Sequence, residues 1–397
     1  KAARKLLEYR YRLLPFAIER AKELDCEGAC YPISSIDGEE GCGAWQHSSL
    51  QIHVSGSVAY GIQHYTTVCD DKDFLYREGI EMLIQICRFY KSRVQQDPIT
   101  AEYGFYGVMG VDEFHMMVNN NCMLNYMVKK TMKFTLEVIE KMREEASDLL
   151  NEAAQKTGLK NEELEAWKKI SDNMYIPQDK KTGLFEQHDG FFRLPHIDID
   201  SIPVTDFPLY NNWSYDRIYR TDMIKQADVL MMLFLYSQDF PVEIKKVNYE
   251  YYEPRCIHES SLSPSVHSII AAEIGKDDEA YEFFKFATRL DLDDYNRNTC
   301  EGLHITSIAA AWLNIVYGYG GMRSDGKELI FNPSIPEAWK SYSFNLLYKE
   351  SVLKFTVSKE QVRISAQGNS AVKIVVYGKE YIINPSGEVL EIPLFKR

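Results

Sequence analysis

A mainly helical chain that ends in a small all-β domain is the fold class these 397 residues predict. From residue 1 to about residue 323, apolar side chains recur at intervals of three and four, as in Tyr76, Ile80, Leu83, Cys87 and Tyr90, the spacing that lines one face of an α-helix. Beyond Ser324-Asp325-Gly326 the interval drops to two: Leu353, Phe355 and Val357, then Val362, Ile364 and Ala366, then Val372, Ile374 and Val376 alternate with other residues, as in strands with one buried face. The connections between the helical stretches are long and rich in polar and aromatic residues. Many helices joined in this way suggest a toroid of helical hairpins whose loops at one end build a site.

Leu7, Tyr11, Leu14, Ile18 and Ala21 predict a first helix over 3–24. The same criterion predicts helices over 51–68, 73–95, 119–145, 148–157, 161–174, 223–236, 264–274, 278–290 and 301–317. Ser263 before Pro264 reads as an N-cap followed by proline at the first helical position, and the run Asn119-Asn120-Asn121 offers caps for the helix after it. In the tail, Gly368-Asn369 and Pro385-Ser386-Gly387 mark turns between strands. Asn332-Pro333-Ser334-Ile335-Pro336 is read as the connection into the strands. The expected division is a helical region over 1–325 and a β domain over 326–397. No repeated segment argues for a regular solenoid.

Composition narrows the function classes. Forty-five basic against 58 acidic residues leave a net charge of −13, the wrong sign for a chain whose main partner is nucleic acid or an anionic membrane. No apolar run approaches the ~18 residues that span a bilayer, and Lys1-Ala-Ala-Arg lacks the apolar stretch of a signal peptide, so a cytoplasmic location is expected. The eight cysteines are scattered without CxxC spacing and read as buried free thiols. No metal is expected: His188-Asp189 and His196-Ile-Asp198 lack a second pair at ligand spacing. Gly318-Tyr319-Gly320-Gly321 follows a helix and not a strand, so it is no nucleotide loop.

Four segments carry the chemistry. Residues 31–46 form a loop with Glu39, Glu40 and Trp45, carboxylates to grip sugar hydroxyls beside a ring to stack a pyranose face. Residues 106–121 hold Asp112 and Glu113, then Phe114, Met116 and Met117. An apolar collar of those three would disfavour ionisation of a carboxyl group and suit a general acid, although a capped loop with a solvated acidic pair explains the segment equally well. Residues 255–264 place His258, Glu259, Ser260 and Ser261 at a helix entrance, where exposed N–H groups and hydroxyls suit phosphate or another small anion. Gly302 and His304 repeat that arrangement at another helix start, and Lys225 and Gln226 lie at a further one, where Lys225 supplies a cation.

Taken in order, the stretches YPISSIDGEE, WQHSSLQIHVSGSVAYGI, EYGFYGVMGVDEFHMMVNNNCMLNY, GLFEQHDGF, IKQADVL, HESSLS and TCEGLHITSIAAAWLNIVYGYGGMR resemble the α-glucoside phosphorylases of glycoside hydrolase family 65. The resemblance implies an (α/α)6 toroid, with the β tail as the family's C-terminal domain. It implies reversible, inverting phosphorolysis, in which an α-glucosyl disaccharide and phosphate give β-glucose 1-phosphate and an acceptor sugar. By match to the family, Glu113 is the single general acid, Ser260, Ser261, Gly302 and His304 bind phosphate, and Lys225 and Gln226 hold the glucosyl unit; Glu40, Trp45 and Asp112 are the further expected substrate contacts. Phosphate is a co-substrate, and no cofactor is implied. Family members are often dimers, which makes a homodimer a compatible partner arrangement.

Two departures from the family pattern shape the expectations. The family's N-terminal β-sandwich, linker and opening barrel helices have no counterpart in these residues, so the chain is expected to be the C-terminal part of a longer protein whose remainder completes the toroid. Many members also carry Tyr-His-Glu-Asn where this chain has Phe114-His115-Met116-Met117, which suits a less polar acceptor. Two alternatives remain: an inverting, trehalase-like α-glucoside hydrolase with Glu259 or Glu301 as base, and a non-catalytic carbohydrate-binding fragment.

Overall fold

The computed structural model describes residues 2–295, 297–324, 328–385 and 387–395, with the side chain of Glu301 also outside the description. Of the expected turns, Asp325, Gly326 and Ser386 lie outside the described residues. The chain forms two compact units, one of residues 1–179 and 185–194, the other of 180–184 and 195–397.

The first unit is helical: α1 (Ala2–Arg12), α2 (Leu14–Glu23), α3 (Trp45–Leu50), α4 (His53–Cys69), α5 (Lys72–Phe74), α6 (Ile80–Arg93), α7 (Cys122–Glu145), α8 (Ser147–Thr157) and α9 (Asn161–Asp172). A two-stranded ribbon of β1 (Gln95–Gln96) and β2 (Tyr103–Gly104) follows α6. The expected first helix is broken at Leu13, because Pro15 in the first turn of α2 has no N–H to continue the ladder. Helix α6 is buried on nearly every side, packed against α2, α4, α7, α8 and α9. Glu81 is the charged residue in that buried stretch. It accepts Tyr11 Oη at 2.9 Å and pairs with Lys156 at 2.7 Å, which is how a carboxylate survives in such a place.

The second unit holds α10 (Leu209–Asn212), α11 (Tyr215–Tyr219), α12 (Val229–Leu235), α13 (Val242–Tyr252), α14 (Ser263–Glu273), α15 (Asp277–Arg289) and α16 (Ile305–Leu313), the last continued by a π-helical turn over Asn314–Tyr319. Among the described residues its β part has eight strands: β3 (Arg323–Ser324), β4 (Leu329–Phe331), β5 (Ser341–Tyr348), β6 (Ser351–Ser358), β7 (Gln361–Gly368), β8 (Val372–Val376), β9 (Lys379–Ile383) and β10 (Leu390–Pro393). They build one sheet in the order β10-β7-β6-β5 and another in the order β3-β4-β8-β9. The period-two residues Leu353, Phe355, Val357, Val362, Ile364 and Ala366 are all buried. Phe355 stacks on Phe344 at 4.9 Å within its own sheet and meets Phe331 of the other at 4.3 Å, so the two inner faces share one aromatic core.

The fold class is the one expected, mainly α with a small all-β domain at the end. Helix α13 was not expected: the face it buries is Lys245, Asn248, Tyr249 and Tyr252, none of which reads as an apolar stripe. The helix expected over 223–236 starts only at Val229, which leaves Lys225 and Gln226 in the bend before it rather than at a helix start. Four of the eight cysteines are buried and Cys300 is exposed, so burial explains only part of the set. Among the described residues no helix is long and apolar enough to cross a membrane.

Candidate active site

In the first unit, the candidate acid sits on a loop pinned at both ends. Val108 and Val118 exchange backbone hydrogen bonds at 2.9 Å, Met109 N donates to Leu50 O at 3.0 Å, and Asn120 N donates to Phe105 O at 2.7 Å. Asn121 caps α7 through Leu124 N at 2.9 Å, as the asparagine run predicted. Asn120 stands where a Cβ on Gly104 would lie 1.9 Å from its Oδ1, so the ribbon needs glycine there. Inside this frame Asp112, 1% exposed, contacts His115 Nδ1 at 2.6 Å, accepts Gln187 Nε2 at 2.9 Å and accepts Phe114 N at 3.3 Å. Its carboxylate is therefore engaged with two groups of its own loop and with Gln187 from outside it.

Glu113 itself is more open, with 26% of its side chain exposed. Its Oε1 lies 3.5 Å from His47 Nδ1 on α3. His53 at the start of α4 is also within electrostatic reach, and burial lowers its pKa to about 4, so it is neutral at pH 7. The expected apolar collar is incomplete: Phe114 is buried, but Met117 is 56% exposed. Trp45, two residues from His47, is also 56% exposed. Glu40 is committed to its own loop, accepting the N–H groups of Ile33 at 2.8 Å, Ser34 at 3.2 Å and Cys42 at 3.0 Å.

In the second unit, a parallel bridge joins Ile224 to Cys256: Ile224 N donates to Arg255 O at 2.8 Å and Ile257 N to Ile224 O at 2.9 Å. This lays the Lys225-Gln226 bend beside the segment leading to Ser260 and Ser261. Lys225 reaches Glu259 electrostatically, and its ammonium stands 5.5 Å from the Tyr210 ring. Burial pushes the Glu259 carboxyl up, against the opposing pull of the Leu209 and Tyr210 N–H groups and Lys225. Ser263 is not the N-cap. It is the first helical residue, Leu262 holds the cap position, and Ser260 Oγ accepts Leu262 N at 3.3 Å.

The Ser263 hydroxyl instead joins a buried group, lying 3.1 Å from Cys256 Sγ, 3.1 Å from His258 Nδ1 and 3.4 Å from His267 Nδ1. Cys256, His258 and His267 offer ligand-type atoms within 4.8 Å of one another, a grouping invisible to spacing arguments because its members come from a loop and from the helix after it. These groups already bond to one another through Ser263.

His304 is aimed by a residue that sequence reasoning missed. Asp291 takes His304 Nδ1 at 2.5 Å and His304 N at 2.8 Å, and that bond to His304 holds Asp291 below the usual carboxylate range. With Nδ1 turned to Asp291, Nε2 is the nitrogen left for a ligand. Gly302 before it has φ +139° and ψ 169°, a region open essentially to glycine alone.

The model of the glycosyl hydrolase family 65 central catalytic domain matches residues 1–313, and that of the family's C-terminal domain matches residues 322–383. The chain belongs to glycosyl hydrolase family 65. It is 38% identical to an α,α-trehalose phosphorylase of Thermoanaerobacter brockii, over 98% of this chain and 50% of that protein. It is 37% identical to a maltose phosphorylase of Bacillus subtilis, over 96% of this chain and 50% of the relative. A solved structure from the human microbiome, described as a candidate kojibiose phosphorylase, superposes with a TM-score of 0.94 at 46% identity, covering 100% of this chain and 57% of that one. The chain thus spans about half the length of the curated relatives it matches.

Proposed function

We propose that the protein carrying this chain cleaves an α-glucosidic bond with inorganic phosphate and inverts the anomeric centre, giving β-glucose 1-phosphate and a free acceptor sugar. Glu113 gives its proton to the glycosidic oxygen as that bond breaks, while a phosphate oxygen bonds to the anomeric carbon from the opposite face. Phosphate is already anionic, so no carboxylate base is needed to activate water. Ser260, Ser261, Gly302 and His304 are the phosphate residues, and Lys225, Gln226, Trp45, Glu40 and Asp112 the sugar contacts. The family-model bounds of 1–313 and 322–383 support the division into a catalytic region over 1–325 and a C-terminal domain over 326–397. A cytoplasmic location, a toroid completed by further chain, and pairing into a homodimer belong to the same reading.

The observation that carries this reading is the likeness to a trehalose phosphorylase and a maltose phosphorylase, at 38% and 37% identity over 98% and 96% of this chain. Glu259 does not separate phosphorolysis from hydrolysis, because one of its oxygens accepts the Leu209 N–H while the other, Oε2, is buried with no hydrogen-bond partner among the described residues. The side chain of Glu301, the other candidate base, lies outside the described residues. The test is release of glucose 1-phosphate from a panel of α-glucosyl disaccharides, with and without phosphate. Release that requires phosphate is expected and names the linkage. Two free sugars formed without phosphate would overturn the proposal in favour of hydrolysis.

A further inference from the structure

His47 is part of the surroundings of Glu113 and has no role in the mechanism above. It lies in α3 with Nδ1 3.5 Å from Glu113 Oε1. The same nitrogen is 3.1 Å from Gln51 Oε1, and Gln51, only 6% exposed, donates its Nε2–H to Gly110 O at 3.2 Å. A backbone carbonyl only accepts, so the amide nitrogen of Gln51 must face Gly110 and its oxygen must face His47. That oxygen also only accepts, so Nδ1 of His47 carries the hydrogen. Gly110 is three residues before Glu113 in the same pinned loop, so Gln51 ties the histidine to the segment that bears the acid.

We propose that His47 is a positioning residue for the general acid: its Nδ1–H, shared between Gln51 Oε1 at 3.1 Å and Glu113 Oε1 at 3.5 Å, engages Glu113 Oε1 and leaves the acidic proton on Oε2. This rests on the reading of Glu113 as the acid. During cleavage the proton passes from Oε2 to the glycosidic oxygen, that oxygen leaves the anomeric carbon, phosphate oxygen bonds there, and the negative charge left on Glu113 is met by the His47 N–H. The resting distance of 3.5 Å is long for such a bond, and catalytic hydrogen bonds commonly tighten once substrate is bound. Other titratable groups lie around Glu113. His53 on α4 is fully buried and neutral. Asp112 and His115, within the acid's own loop, are engaged with each other at 2.6 Å.

The test compares His47→Leu and His47→Asn in the active enzyme, since the Asn amide nitrogen stands where Nδ1 does while Leu offers no donor. His47→Leu is expected to lower kcat about tenfold with KM changed less than about threefold, and to move the alkaline limb of the kcat profile to higher pH, because the carboxylate loses a donor that favours it. His47→Asn is expected to restore kcat to within about threefold and to return the limb. α-Glucosyl fluoride, whose leaving group needs no proton, is expected to react at the wild-type rate with both variants. An unmoved limb in His47→Leu, a loss that Asn does not restore, or an equal loss on the fluoride would each overturn the proposal. Wild-type cleavage that ignores phosphate would overturn the phosphorolysis reading alone, because a hydrolase needs the same protonated acid and the His47 comparison still decides.

Discussion

Glu113→Gln is expected to lower turnover of disaccharides by roughly 10²–10⁴-fold, the range a positioned general acid contributes, while leaving the fold intact. The fold should survive because the loop is held by other groups. Asp112, His115 and Gln187 bond to one another beneath it, the Val108–Val118 pair closes it, and Glu113 keeps 26% of its side chain exposed. Glutamine keeps the size and one acceptor oxygen but has no proton to give. The loss should therefore track the leaving group: severe for a sugar alkoxide, small for fluoride, which departs unprotonated. Steady-state rates on one disaccharide and on α-glucosyl fluoride, each with phosphate, check this. Equal loss on both would mean that Glu113 binds or shapes the site without donating a proton.

Glu273→Ala is expected to destabilise the second unit by about 3–5 kcal/mol, the range for removing one partner of a buried ion pair. At the end of α14, Glu273 lies 2.5 Å from Lys245 Nζ and 2.6 Å from Arg323 Nη2. Both cations also donate to Ser237 Oγ, at 2.6 Å and 2.7 Å. Lys245 is 2% exposed and Arg323 7%, so alanine strands two positive charges where water reaches them poorly. The pair joins α13 and α14 to the first strand of the β part, so one carboxylate secures three elements. On the scale of a few degrees per kcal/mol for a unit of this size, melting should fall by about 10 °C.

The pH dependence of that loss follows from Glu273. Burial alone would push its carboxyl up; Arg323 and Lys245 outweigh burial and hold it below the usual range. A carboxyl depressed in the folded state adds stability above its unfolded value of about 4.3 and loses it as pH falls through the folded value. The gap between wild type and Glu273→Ala should therefore be widest near neutrality and narrow below about pH 4. Thermal unfolding of both proteins across that range measures it. A gap that stays constant would place the stabilisation in packing rather than charge.

The sequence by itself determined the two periods, hence the helical region and the strands after it, because burial of one face needs only local spacing. It also determined which residues have the chemistry: a carboxylic acid at Glu113, hydroxyls at Ser260 and Ser261, a histidine at His304. What only the tertiary structure decided is how those groups are held and which are already occupied. Helix α13 was hidden because its buried face is made of Lys245, Asn248 and tyrosines, whose burial depends on partners such as Glu273 and Glu279 that no local pattern reveals. Glu40 and Asp112 have the right chemistry for sugar contacts, and only the structure showed that backbone N–H groups hold Glu40 while His115 and Gln187 hold Asp112. Asp291 lies in no quoted motif, and His47 lies in one that does not mark its role, since orienting another side chain needs only one well-placed atom. Such roles come from distances across the fold, set where the loops that carry the groups are pinned.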